Sequence, residues 1–373
     1  MNRSPKIHSN DLLGLNQPEL QVAIETEIPG LPAYRAKQVY TWLYNKRAKQ
    51  YSEMTQLPSE LRGQLERHFV IGSIKMEHQS RSADGTIKFL FTLYDGNQIE
   101  SVLIPSEMRD AAGESRRKTL CLSTQVGCPL DCKFCATGSM KLKRNLTTSE
   151  IIEQYFEVER LTGEKITNVV YMGMGEPMLN YDNVLRSLRI LTDPELEIIG
   201  AKRITVSTSG LPDEIIKFGR EKLGVKLALS LHATTDELRT KLMPINIAHP
   251  IKELLAALDE YYHLTGNPVT YEYILFEGLN DSDADARRLA KIARRLPSKV
   301  NVIPFHQIDF THPTGFGAEL HPTTEENFVR FNAMLKSEGV VVMVRSSSGE
   351  DIEAACGQLA LSKLPHPVEI EIA

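Results

Sequence analysis

The stretch Cys128-Pro129-Leu130-Asp131-Cys132-Lys133-Phe134-Cys135 sets three cysteines in a C-x3-C-x2-C spacing. Thiolates this close on one loop can close around one face of an iron-sulfur cube, which leaves one iron without a protein ligand. Such an open iron is a place where a cofactor can bind. Two plainer readings stand beside it: a zinc site completed by a fourth ligand such as Cys121, or unrelated buried thiols. A structural zinc site ordinarily shows paired Cys or Cys/His knuckles, and no second pair occurs in this chain. The pattern therefore points first to one cluster on Cys128, Cys132 and Cys135.

Further chemistry-bearing residues follow in short polar sets. Gly173-Met174-Gly175-Glu176-Pro177 combines glycines, which allow a ligand close to the backbone, with one carboxylate. Ser207-Thr208-Ser209-Gly210 and Ser230-Leu231-His232 can hydrogen-bond a ribose or a carboxylate, or can simply cap a helix and close a turn. Cys356, between Ala354-Ala355 and Gly357, reads as a small buried hydrophobe unless the serine-rich loop before it carries it to the site. Glu100 lies in QIESVLIP, where alternation favours a solvated carboxylate on an outward face.

The elements that must position these residues are legible from periodicity. Residues 11–70 read as helical, with one helix over AYRAKQVYTWLYNK and another from Ser59 to about His68. Residues 73–104 alternate around Asp84-Gly85 and Asp95-Gly96, a hairpin or meander. From residue 118 the chain repeats strand, loop and helix. Strand-like runs fall at 119–122, 168–172, 203–207, 226–231, 270–275, 300–304 and 340–345; amphipathic stretches at 149–161, 251–263, 283–295 and 323–337 lie between them. The expected fold is α/β: a parallel sheet of about six strands curled into a partial (β/α)6 barrel, with a small N-terminal helical module and a β-hairpin or meander between. In such a barrel the reactive groups gather at the C-terminal ends of the strands.

Composition bounds the function. The chain has 373 residues, of which 42% are hydrophobic and 24% charged, as in an ordinary soluble globular protein. The start MNRSPKIHSNDLLGL has no apolar signal core, and no run approaches a membrane span, so a cytoplasmic protein without membrane contact is expected. Five cysteines, three of them in one loop, argue for a reducing compartment over a disulfide framework. The net charge of −5 predicts no overall pull on nucleic acid. Cations nevertheless cluster without acids over residues 28–52 (Arg35, Lys37, Lys46, Arg47, Lys49) and around the cysteine loop (Lys133, Lys141, Lys143, Arg144), which implies two basic surfaces able to grip RNA backbone or merely to be solvated.

The cysteine spacing, with Phe134 before the last cysteine, resembles the cluster loop of the radical S-adenosylmethionine (SAM) enzymes. Taken with Ile99 to Pro105, Gly173 to Pro177, Ser207 to Gly210, Ser230 to His232 and the Cys356 segment in that order, the chain looks like the RlmN/Cfr family of radical SAM RNA methyltransferases. The likeness covers nearly everything after the first thirty residues or so. It implies one 4Fe-4S cluster on Cys128, Cys132 and Cys135, and SAM as both methyl donor and radical source. It implies SAM contacts from Gly175, Glu176, Ser207, Ser230, Leu231 and His232, with Glu176 on the methionine ammonium. The reaction implied is methylation of adenosine carbon 2 in 23S rRNA and tRNA, through S-methylation of Cys356, with Glu100 as base and a transient Cys121–Cys356 disulfide. A flavodoxin-type electron donor and a monomeric protein go with it. The corresponding division is 1–72 as an RNA-binding accessory domain, 73–117 as the β-rich linker carrying Glu100, 118–361 as the radical SAM barrel and 362–373 as a tail.

Two departures qualify the likeness. His306 follows Phe305 where most members place an Asn on SAM, and imidazole cannot present the donor and acceptor pair of a carboxamide. Lys141-Leu142 replaces a Gly-Phe pair after the cluster loop. Methylation at carbon 8, or another RNA target, uses the same constellation. A methylthiotransferase needs a second cysteine trio, which is absent, and a zinc-stabilised RNA-binding protein would bind without turnover.

Overall fold

The computed structural model describes residues 10–106, 108, 115–345 and 348–361. The expected tail 362–373 and part of the serine-rich loop before Cys356 lie outside these residues.

The described residues form twelve strands: β1 Lys75–Arg81, β2 Ile87–Thr92, β3 Gln98–Pro105, β4 Lys118–Cys121, β5 Gln125–Val126, β6 Arg144–Asn145, β7 Asn168–Tyr171, β8 Ile204–Thr208, β9 Lys226–Ser230, β10 Val269–Leu275, β11 Ser298–Pro304 and β12 Val342–Val344. Ten form one sheet in the order β1-β2-β3-β4-β7-β8-β9-β10-β11-β12, and β5 pairs with β6 apart from it. From β4 to β12 every neighbouring pair in this sheet is parallel. All seven expected strand-like runs of this half are present. Helices cross between them as parallel pairing requires: Thr148–Thr162 leads from the cysteine region to β7, Tyr181–Leu191 from β7 to β8, and Glu325–Ser337 from β11 to β12. The first of these carries a capping box, in which Thr147 and Glu150 satisfy each other's backbone N–H, and ends at Gly163 in the left-handed region.

The meander β1–β3 joins the same sheet through antiparallel β3–β4 pairing, Val102 opposite Cys121. Here alternation misleads. β2 and β3 are buried almost throughout, so both faces are covered. Ser101 donates to Gln154 of the Thr148–Thr162 helix at 2.6 Å on one face, and Ala360 donates to Glu100 at 3.0 Å on the other. Glu100 is therefore only 1% exposed, and not the solvated carboxylate that a half-buried strand suggests.

The N-terminal helices Gln17–Glu27, Ala33–Tyr44 and Ser59–His68 share the main core, which runs from Leu12 through the sheet to Leu359. A second, smaller core of Phe134, Met243, Phe276, Ile303, Phe305 and neighbours lies against Cys132, Cys135 and Cys356.

Candidate active site

The cysteine loop is held open by backbone that few residues adopt. Gly127 has φ 77°, and a Cβ there would stand 1.8 Å from the carbonyl oxygen of Lys141. Only glycine lets the chain returning at Lys141-Leu142 cross so close. Asp131 is also left-handed, at φ 53°. The Lys133 N–H donates to Leu242 O at 2.9 Å and the Ala136 N–H to Gly357 O at 2.7 Å. The Thr137 hydroxyl donates to Leu359 O at 2.5 Å. The loop is thus pinned on one side by the helix Asp236–Leu242 and on the other by the segment bearing Cys356.

Cys128, Cys132 and Cys135 line one side of a cavity of about 130 Å³. Burial pushes the Cys128 thiol up to about 12. It pushes Cys132 well above its usual value, with Cys135 and Cys128 adding repulsion. Three thiolates cannot share this wall unless a positively charged group meets them, and three sulfur donors from one loop are the donor set an iron-sulfur cube takes. The residues fit a cluster. Among the described residues no three His, Cys, Asp or Glu side chains are gathered tightly enough to hold a single metal ion.

The strand-end loops face the cysteines across this cavity: Gly175, Glu176, Ser207, Ser230 and His232 line it. Gly175 has φ 99°, and a Cβ there would strike the Gln125 side chain at 2.5 Å. Glu176 is buried; Ser209 donates to its Oε2 from N–H (2.8 Å) and hydroxyl (2.6 Å), and Met178 N–H to Oε1 (3.0 Å). Burial nevertheless pushes this carboxyl up. The Ser207 and Ser230 hydroxyls stand 3.3 Å apart. His232 Nδ1 accepts from Ile274 N–H at 3.1 Å, so its proton sits on Nε2. Burial, then Arg239, lower its pKa to about 3, which makes it a neutral donor. Leu231 and His306 are not in the cavity wall. Leu231 is core, its carbonyl accepting from Arg239, and His306 Nδ1 lies 3.3 Å from Glu350 Oε1.

Cys356 does reach the site: it lines the same cavity, beside Gly357. Cys356 is raised by burial and lowered by Arg345, whose Nη1 stands 4.0 Å from its sulfur. Cys121, at the end of β4, is pushed up to about 12 by burial and then by Cys356. Both are free thiols. Glu100 is not in the cavity wall; its Oε1 lies 3.4 Å from Lys88 Nζ and its Oε2 accepts from Ala360, four residues beyond Cys356.

Sequence reasoning passed over Glu272, Arg345, Lys88 and Arg239. Glu272 lines the cavity from the fully buried strand VTYEYIL and accepts from Asn301 at 3.1 Å. A carboxylate inside such a strand was the available signal. Arg239 is fully buried and donates to the carbonyls of Ser209, Ser230 and Leu231, which ties the loops after β8 and β9 together.

The basic surfaces are smaller than their cation count. Arg47 pairs with Glu159, and Lys49 with Glu157. Arg144 pairs with Asp95 at 2.6 Å and Glu150 at 2.8 Å, and Lys133 with Asp131 at 2.6 Å. Lys46 instead stands over the Trp42 ring at 4.5 Å. A groove of about 740 Å³ between the N-terminal helices and Thr148–Thr162 is walled by the Arg47–Glu159 and Lys49–Glu157 pairs and holds none of the cysteines.

Comparison with known proteins adds to this geometry. The sequence model of the Radical SAM superfamily matches residues 122–290, and that of the ribosomal RNA large subunit methyltransferase N-terminal domain matches residues 10–71. A probable dual-specificity RNA methyltransferase RlmN of Thermotoga sp. (strain RQ2) is 45% identical over 355 residues, 95% of this chain and 98% of that one. The dual-specificity RNA methyltransferase RlmN of Geotalea uraniireducens (strain Rf4) is 44% identical over 349 residues, 94% and 96% of the two chains. The crystal structure of a radical SAM methyltransferase from Sphaerobacter thermophilus superposes with a TM-score of 0.85 at 42% identity, covering 94% of this chain and 99% of that one.

Proposed function

Because the chain belongs to the RlmN family of radical SAM RNA methyltransferases, we propose that it methylates carbon 2 of adenosine, in the peptidyl transferase loop of 23S rRNA and beside the anticodon of tRNA. The observation that carries the reading is one cavity walled by Cys128, Cys132, Cys135 and Cys356 together, with Cys121 close behind. A small cavity at the strand ends suits a base drawn out of its stack, at a cost of about a few kcal/mol that is least in RNA loops.

The ring carbon between two nitrogens is electron-poor and cannot attack a methyl sulfonium, so a radical route is needed. Cys128, Cys132 and Cys135 would hold the 4Fe-4S cluster, which with SAM supplies the 5′-deoxyadenosyl radical. Gly175, Glu176, Ser207, Ser230 and His232 line the wall on which SAM would be bound and oriented. His232, neutral with its proton on Nε2, donates without competing for protons. Cys356 takes a methyl from one SAM by displacement, S-adenosylhomocysteine leaving, and Arg345 beside its sulfur favours the thiolate this needs. After hydrogen abstraction the Cys356 S-methylene radical adds to adenine and tethers the base. The adduct gives up its ring proton to Glu100 and returns one electron to the cluster that Cys128, Cys132 and Cys135 would hold. Cys121 thiolate then attacks the Cys356 sulfur; the disulfide forms, the carbon–sulfur bond breaks with its electron pair on the methylene carbon, that carbon takes a proton from solvent, and the methylated RNA leaves. A flavodoxin-type donor returns two electrons to the disulfide.

Cys356→Ala is expected to abolish both methylation of the protein and all RNA product, and any methylated RNA from it would overturn the mechanism. Cys121→Ala is expected to accumulate a covalent protein–RNA adduct visible by gel shift; clean turnover would remove Cys121 from the reaction.

A further inference from the structure

One buried ammonium joins the proposed base to the methyl carrier. Lys88 is only 4% exposed, on β2, one diagonal step from Glu100 on β3: Leu90 faces Glu100 and Val102 faces Lys88 in the register. Its Nζ lies 3.4 Å from Glu100 Oε1 and donates to the Glu353 carbonyl at 3.2 Å. Glu353 begins the short segment that carries Cys356, and the far end of that segment returns to the same carboxylate, Ala360 N–H donating to Oε2 at 3.0 Å. Glu100 is thus ion-paired on one oxygen with Lys88 and hydrogen-bonded on the other by the backbone that follows Cys356.

Two opposed effects act on Glu100. Burial favours its neutral form and outweighs the rest, so its pKa is raised; Lys88, with the N–H groups of Leu361 and Ala360, pulls it back. Lys88 is the charged side chain acting on it. Among the described residues, the elements against it also carry Lys118 and Cys121 on β4, and Glu353 and Cys356 on the segment. A base must be ionised to work. The cation is the largest of the influences that oppose burial and favour the ionised carboxylate a base needs.

We infer that Lys88 is a positioning residue of the methyl transfer: it holds Glu100 ionised and aimed, and anchors the Cys356 segment to the same point. An apolar structural role for β2 would need neither the ammonium nor its bond to Glu353. The inference rests on the proposed role of Glu100, and its test separates the two. Protein pre-methylated on Cys356 is reacted once with an adenosine-containing rRNA fragment across a pH series. Covalent adduct and free methylated RNA are quantified by gel and nucleoside mass spectrometry, in native protein and in Lys88→Met, Lys88→Gln, Lys88→Arg and Glu100→Gln. With Glu100 as base, the rate of adduct resolution rises with pH through the Glu100 titration. Losing the ammonium removes a pull toward the ionised form, so this limb moves to higher pH. Lys88→Met and Lys88→Gln are expected to accumulate adduct, to release RNA roughly 100-fold more slowly at neutral pH and to be rescued at alkaline pH. Lys88→Arg is expected to keep the native limb. An unmoved limb in Lys88→Gln, or equal loss in Lys88→Arg, overturns the role of Lys88. Clean release without adduct from Glu100→Gln overturns the role of Glu100 instead.

Discussion

At the scale of single residues, reactivity in this protein is set by how far burial suppresses charge and what opposes it. Cys121, Cys128, Cys132, Cys135 and Cys356 are all pushed toward the neutral thiol. Among the described residues, Cys356 is the cysteine with a guanidinium within hydrogen-bonding range of its sulfur. Displacement on SAM needs thiolate, so Arg345→Met is expected to slow S-methylation of Cys356 roughly 10-fold, the equivalent of about 1.5 kcal/mol for one charge-assisted hydrogen bond. The rate should recover as pH rises, because more thiolate forms; an unaltered rate and pH profile, read by intact-protein mass spectrometry, would contradict this. Much at this scale was legible. The cysteine trio and the strand-end sets are local in sequence, so their spacing and types show directly. Lys88, and the burial of Glu100, were not legible in the pattern, because the segment that meets both lies some 260 residues further on; Arg345 is only 11 residues from Cys356, but nothing in the loop between them shows the pairing. Strand alternation placed Glu100 in water, whereas Ala360, 260 residues away, covers it.

At the scale of elements, the parallel half was readable because hydrophobic runs and amphipathic helices alternate there, and the expected and observed strands differ by only a residue or two at their ends. What periodicity cannot see is a loop's backbone. Gly127 looks like any turn glycine, yet it is the point where the cysteine loop and the chain at Lys141 touch. Lys141, where a Gly-Phe pair would place its glycine, is itself left-handed at φ 54°, a backbone that glycine adopts without strain. Gly127→Ala is expected to destabilise the loop by about 1–3 kcal/mol from the left-handed backbone alone, with the collision added. The readout is iron and sulfide content after anaerobic reconstitution together with the melting temperature. A variant that binds iron fully and melts normally would show that the crossing is not what shapes the loop.

At the scale of the whole molecule, the N-terminal helices are not a loosely attached module. They share the main core with the sheet; Tyr40 donates to Asp193, and Ser73 and Ile74 N–H groups donate to Glu153 of the Thr148–Thr162 helix. The sequence shows a basic tract but not the acids that meet it, since Glu157 and Glu159 lie more than 100 residues further on. Arg47 therefore holds the module in place, while Lys46 over Trp42 is better placed to meet phosphate. Lys46→Ala is expected to weaken RNA binding and to lower the slope of affinity against salt by about one, whereas Arg47→Ala should lower the melting temperature and leave that slope unchanged. The reverse assignment would show that the paired cations, not the aromatic-backed one, face RNA.

The claim that joins these scales is that one cavity carries a methyl from SAM through Cys356 to carbon 2 of adenosine. Anaerobic turnover of the reconstituted protein with methyl-deuterated SAM on unmodified rRNA and tRNA fragments, followed by nucleoside mass spectrometry, tests it most directly. Labelled 2-methyladenosine that has lost one deuterium to 5′-deoxyadenosine is the predicted result, because the S-methyl group must give up a hydrogen before it bonds to carbon. Label at carbon 8, or a 2-methyl group that keeps all three deuteriums, would contradict it.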